Sequence, residues 1–124
     1  ELLHTKIIRD SDKIDILYIL TYEKKETAWE KADLSDDIIS EEIYKDFMEK
    51  GKIDYGKKQS SVDSLVGHFA YIFDFNFPDS IQLVKEKNYM ETIYNRFEFH
   101  NQKTMEQYKN IYDKVVKYMK TLSD

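Results

Sequence analysis

From Leu2 to Leu20 the apolar positions are Leu2, Leu3, Ile7, Ile8, Ile14, Ile16, Leu17, Tyr18, Ile19 and Leu20. Leu3, Ile7, Ile14 and Leu17 fall on one stripe of a helix. Ile8, Asp12, Asp15 and Ile19 fall on another, at offsets of four, three and four. The pattern predicts a helix from about Leu3 to Tyr22. Apolar residues lie on most of its sides, so it is expected to pack inside the domain, with Asp12 partly enclosed. Asp10, Asp12 and Asp15 thus interrupt a segment that otherwise reads as buried. A carboxylate is costly to bury without a metal, a cation or hydrogen bonds to hold it, which makes this stretch the candidate site; from periodicity alone the favoured reading is that Asp12 and Asp15 are ordinary solvated acids near Arg9 and Lys13 on a half-exposed helix. Arg9 and Lys13 lie on a different side, with Lys6.

The same periodicity predicts further helices. Glu23 to Asp37 is charged, holds the lone Trp29, and reads as a loop or a short helix. Ser40 is placed to cap a helix ending near Lys50, with Gly51 just past its end and Ile43, Phe47 and Tyr44 turned inward. Lys52 to Lys58 is a connection. Ser60 or Ser61 opens a helix carrying Val62, Leu65, Val66, Phe69, Ile72 and Phe73 on one face. Phe73 to Phe77 reads as a helix end passing into an extended turn, and Pro78-Asp79 opens the next helix. In that turn Asp74 and Asn76 are expected as capping and turn residues. The segment Asp79 to Phe99 shows Ile81, Val84, Met90, Ile93 and Phe97 on a helical face, with a break at Asn88. Thr104 and Gln107 read as a capping box. The last helix then presents Met105, Tyr108, Tyr112, Val115, Met119 and Leu122 as a seam. That seam is expected to pack within the domain, a homo-oligomer being the alternative.

With three glycines and one proline in 124 residues, the chain is expected to be an all-α single domain over residues 1–124. It has no cysteine, which excludes disulfides, thiolate metal sites and cysteine nucleophiles. The net charge of −5 argues against a nucleic-acid polymer as partner. No apolar run approaches membrane-spanning length, so a cytoplasmic protein without membrane contact is expected. The basic run from Lys50-Gly51-Lys52 to Lys57-Lys58 reads as solvated, contact with phosphate being the alternative. His68 and His100 lack a helical partner at ligand spacing and read as surface or hydrogen-bonded histidines. His4 stands two helical turns before Asp12, too far to share an ion with it.

Arg9-Asp10-Ser11-Asp12-Lys13-Ile14-Asp15 resembles the last motif of the HD-domain superfamily of metal-dependent phosphohydrolases. That motif runs acid, small residue, Asp, basic residue, aliphatic residue, Asp. Tyr71 to Phe77, followed by Lys85-Glu86-Lys87-Asn88-Tyr89, resembles the helical tail of a bacterial subgroup of HD proteins. The resemblance implies an HD-like helical bundle of which this chain is the C-terminal part. It implies that Asp12 closes a site for a divalent metal (Mn, Fe, Ni, Zn or Mg). Asp15 and Asp10 would then orient ligands or fix the helix, and Arg9 or Lys13 would meet the substrate phosphate. The substrate class implied is a phosphate ester or nucleotide. The adjacent His-Asp pair that names the family is absent, and His4, His68 and His100 lack its spacing. The remaining ligands are therefore expected from an N-terminal part of the same protein, and this chain alone is expected neither to hold a metal tightly nor to catalyse. The alternative is a non-catalytic helical domain for protein interaction or regulatory nucleotide binding.

Overall fold

Scarce turn residues leave long stretches free to stay helical, and the described residues form seven α-helices and no strand. The computed structural model describes residues 2–29, 31 and 33–122. In chain order the helices are α1 (Leu3–Tyr22), α2 (Lys25–Ala28), α3 (Glu41–Lys50), α4 (Ser61–Phe69), α5 (Pro78–Glu86), α6 (Tyr89–Tyr94) and α7 (Gln102–Thr121). Single 3₁₀ turns occupy Tyr55–Lys57 and Ala70–Phe73. The expected all-α class is what the chain adopts. Glu30 and Ala32, inside the charged stretch after α1, lie outside the described residues.

One apolar cluster joins the elements. Ile43 and Phe47 of α3, Val62, Leu65 and Val66 of α4, Val84 of α5, Met90 and Ile93 of α6, and Ile111 and Val115 of α7 are all 1% exposed or less. Removing each such side chain from water is worth about 1.5–3 kcal/mol, so this cluster is the main force holding the helices together. From α1 only Leu17 and Leu20 join it as fully buried apolar residues, with Ile14 packed at its edge. Leu3 and Ile7, on the same stripe as Ile14 and Leu17, are 65% and 48% exposed. The helix is therefore not enclosed on most sides: it lays one face on the bundle and leaves the other open.

Helix ends follow local chemistry, with instructive departures. Gly51 takes the left-handed conformation (φ 69°) that stops α3, which a residue with a Cβ adopts at a cost. A Cβ there would also come within 3.0 Å of the Phe73 ring. Ser40 precedes α3 but does not cap it. Its N–H and hydroxyl instead donate to buried Asp63, at 2.9 and 2.5 Å. Asp63 also completes a capping box with Ser60 at the start of α4, so one carboxylate fastens two helix beginnings. Asn88 does break the chain between α5 and α6, at φ 56°.

α6 stops at Tyr94 rather than continuing to Phe99. Phe97 and Phe99 are buried and Glu98 is exposed, the period-two alternation of an extended segment. α7 begins three residues earlier than the Thr104–Gln107 pair suggests, because the Asn101 side chain accepts from the Thr104 N–H at 2.9 Å. Thr104 and Gln107 are buried instead. The stripe that α7 buries is Thr104, Tyr108, Ile111 and Val115. Met105 and Leu122, at the ends of the expected seam, are 47% and 46% exposed.

Candidate functional site

The three aspartates of α1 part company in space. Asp10 is only 3% exposed and carries a dense set of hydrogen bonds. Asn76 donates its N–H (2.9 Å) and its side-chain amide (3.0 Å) to Oδ1. The Phe77 N–H (3.1 Å) and the Ser80 hydroxyl (2.6 Å) donate to Oδ2. These donors sit at the beginning of α5, whose N-cap residue, Phe77, has no side chain able to cap. Asp10 supplies that cap from a helix 66 residues away in sequence, and its negative charge meets the positive end of the α5 dipole. Burial opposes the charge on Asp10. The bonds from Ser80, Asn76 and Phe77 outweigh it and hold the carboxyl below the usual aspartate range.

Asp12 is exposed, so the expected partial enclosure is not found. Two residues beyond Asp10, on a helix of about 3.6 residues per turn, its side chain emerges on the opposite side. That opposite side is the Ile8–Asp12–Asp15–Ile19 stripe, and each of its members is exposed. Ile8 is 50% and Ile19 45% exposed. Tyr18 and Tyr22 extend the face toward the end of α1, their rings 4.8 Å apart, and Tyr22 meets Tyr89 edge-on at 6.3 Å. Tyr89 is buried beneath them. Burial first, then the neighbouring Tyr22, Tyr18 and Asp15, push its hydroxyl above the usual tyrosine range. Of the thirteen exposed large apolar residues among the described residues, eight lie between Leu2 and Tyr22. Scattered exposed apolar residues are ordinary; here they are concentrated on one helix.

The basic residues of the motif lie elsewhere. Lys13 reaches Asp74 at 3.1 Å and ties α1 to the turn before α5. Arg9 is exposed. At the far end of α1, Arg96 donates to the Leu20 and Glu23 carbonyls, the latter at 2.6 Å, and so fixes the helix C-terminus. The Asp74–Lys13 pair and the Asn76–Asp10 bonds turn the Asp74-to-Phe77 segment into the clip that sets how α1 lies on the bundle. Asn76 and Ser80 are the partners that the sequence pattern did not assign to Asp10. The signal for them was a helix start, Phe77-Pro78, with no capping side chain of its own.

Among the described residues, no three His, Asp or Glu side chains are gathered so as to hold a metal ion. Asp12 and Asp15 offer carboxylate oxygens from one face and His4 is exposed. His100 faces Asp36 through Nδ1 at 3.1 Å. His68 stands between the rings of Trp29 and Tyr71, at 5.7 and 5.4 Å. A hard divalent cation wants several oxygen or nitrogen ligands, so the donors present fit one part of a metal site and not a whole one. Among the described residues no helix is long and apolar enough to cross a membrane. Comparison with protein families, with curated proteins and with solved structures yields no match.

Proposed function

We propose that this chain is the C-terminal helical part of an HD-type metal-dependent phosphohydrolase, a cytoplasmic enzyme of phosphate esters or nucleotides. The observation that carries the reading is the outer face of α1: an apolar stripe turned away from the bundle, with Asp12 and Asp15 at its centre. A face of this kind is stable when another surface covers it. Two carboxylates at its middle favour a covering surface that brings cations or metal-ligating histidines and disfavour a purely apolar one. In this reading the N-terminal part of the same protein packs on Ile8, Ile19 and Tyr22. Asp12 then supplies one oxygen to a divalent metal whose other ligands come from that part, and Asp15 orients one of them. Asp10 keeps α1 in register while Asp12 faces outward. When bound, the metal activates water and neutralises phosphoryl charge.

Phosphate release by the complete natural protein tests this. With manganese and a nucleoside monophosphate, turnover is expected, and Asp12→Asn should lower it by about 100-fold or more, the scale on which loss of a metal ligand acts. Undiminished turnover in Asp12→Asn, or release indifferent to a chelator, would overturn the reading. The exposure of Asp12 also favours a second one, a helical interaction or regulatory nucleotide-binding domain without turnover. Nucleotide binding with no phosphate release by the complete protein would select it.

A further inference from the structure

A second feature lies away from the outer face of α1. Lys50, Lys52, Tyr55, Tyr71, Phe73 and Asp74 line a cavity of about 320 Å³ between the end of α3, the loop after it and the end of α4. Backbone chemistry builds it. Lys50 and Lys52, on either side of the left-handed turn at Gly51, both line the cavity. Gly67 on α4 lacks a side chain where Tyr55 and Ile53 press in. A Cβ there would come within 3.0 Å of the Tyr55 ring, its hydroxyl and Ile53 Cδ1.

Its lysines and phenols are uncommitted among the described residues. Among the described residues, no carboxylate lies within ion-pair distance of Lys50 or Lys52, whereas Lys57 nearby faces Glu42 and Asp46 at 3.7 and 3.8 Å. Among the described residues, neither the Tyr55 nor the Tyr71 hydroxyl makes a hydrogen bond. Burial, joined at Tyr55 by the neighbouring Tyr71 and Asp74, pushes both phenols above the usual tyrosine range, so both remain donors at neutral pH. Asp74, the one acid among the described residues of the lining, is engaged by Lys13 at 3.1 Å. Asp54, in the same loop, accepts from the Gly56 N–H at 2.9 Å. The carbonyl end of α3 is likewise occupied: Lys114 donates to Phe47 and Met48 at 2.8 and 2.7 Å. In a chain of net charge −5, this cavity is a local concentration of free positive charge and hydroxyl donors walled by aromatic rings.

We propose that this cavity binds a small phosphate monoester carried on a planar ring, with Lys50 and Lys52 holding the phosphate and the rings of Tyr55, Tyr71 and Phe73 packing on the planar part. Lysines serve phosphate as point charges and hydroxyls add directed bonds to its oxygens. The volume suits a small ligand of this class. The site shares no residue with the Ile8–Ile19 face, so its standing is separate from that of the Asp12 reading.

Titration of the whole chain with phenyl phosphate, inorganic phosphate and phenol, followed by backbone amide chemical shifts, tests it. Phenyl phosphate should give saturable shifts confined to residues 50–55 and 67–74, and should bind several-fold tighter than inorganic phosphate. The double substitution Lys50→Gln, Lys52→Gln should weaken it by about tenfold or more, and Lys50→Arg, Lys52→Arg should keep it within a few-fold. Both lysines are exposed, so these variants are expected to fold, which circular dichroism checks. The proposal fails if those amides do not shift, if inorganic phosphate binds as well as phenyl phosphate, or if the glutamine variant binds unchanged.

Discussion

α1 and α7 are each 20 residues long, yet they end up with opposite surfaces. α7 buries Tyr108, Ile111 and Val115 and turns Lys103, Glu106, Lys109, Asp113 and Lys117 outward. It is a finished amphipathic helix. α1 is the more apolar of the two, but Leu17 and Leu20 are its only fully buried apolar residues. It commits Asp10 to the interior and leaves Ile8, Ile16, Ile19, Tyr18 and Tyr22 in water. A helix that sends a carboxylate inward and isoleucines outward does not follow the apolar pattern of its own sequence. Burial of Asp10 is affordable because α5 lacks a cap and needs one. The exposed isoleucines are the face that the covering surface of the proposed function would bury.

Stability measurements on matched pairs test this contrast. The largest effect is expected in α7, where Ile111→Ala removes a side chain buried in the common cluster and should cost about 2–5 kcal/mol by urea denaturation. Ile19→Ala, the corresponding truncation on the outer face of α1, should stay within about 0.5 kcal/mol in this chain. Equal costs would break the comparison.

Next comes the aspartate pair. Asp10→Ala strands the Asn76 and Phe77 N–H groups and the Ser80 hydroxyl, and should cost about 2–3 kcal/mol, against less than about 0.5 for Asp12→Ala. The pH dependence sharpens this. The folded carboxyl of Asp10 titrates below the unfolded one, so its contribution is present above the ordinary aspartate pKa of about 3.9. It is lost as pH falls through the lower folded value. The gap between wild type and Asp10→Ala should therefore narrow on acidification below about pH 4, and a gap constant from pH 7 to 2 would contradict the assigned role. The smallest effect is expected at the clamp on α1. Arg96→Gln loosens the Leu20 and Glu23 carbonyls and should cost about 1 kcal/mol, with faster amide exchange at the end of α1 and none at α7.

The sequence pattern located most helices because their inner faces follow the helical period: Leu17 and Leu20, Ile43 and Phe47, Leu65 and Phe69. It misread segments where another rule governs. Phe97 and Phe99 alternate as extended chain does, so a helix drawn through them runs too far. Ser40 has the composition of a cap but serves Asp63, a tertiary partner that local sequence cannot name. At the candidate site, the acidic cluster in an apolar helix was legible, and so was the stripe joining Ile8, Asp12, Asp15 and Ile19. Which side of that helix meets the core was not. Periodicity defines two faces without ranking them, and the ranking came from the uncapped start of α5, which draws Asp10 inward and thereby turns Asp12 out. Exposed isoleucines then read as interior from composition alone.

In the proposed function, the outer face of α1 forms one half of a divalent metal site completed by another part of the protein. Metal content of the complete natural protein, purified from cells and measured by elemental mass spectrometry, tests it most directly. Roughly one divalent ion per chain is expected in the wild type, with loss of most of it in Asp12→Asn. Equal metal content in both, or none in either, would contradict it.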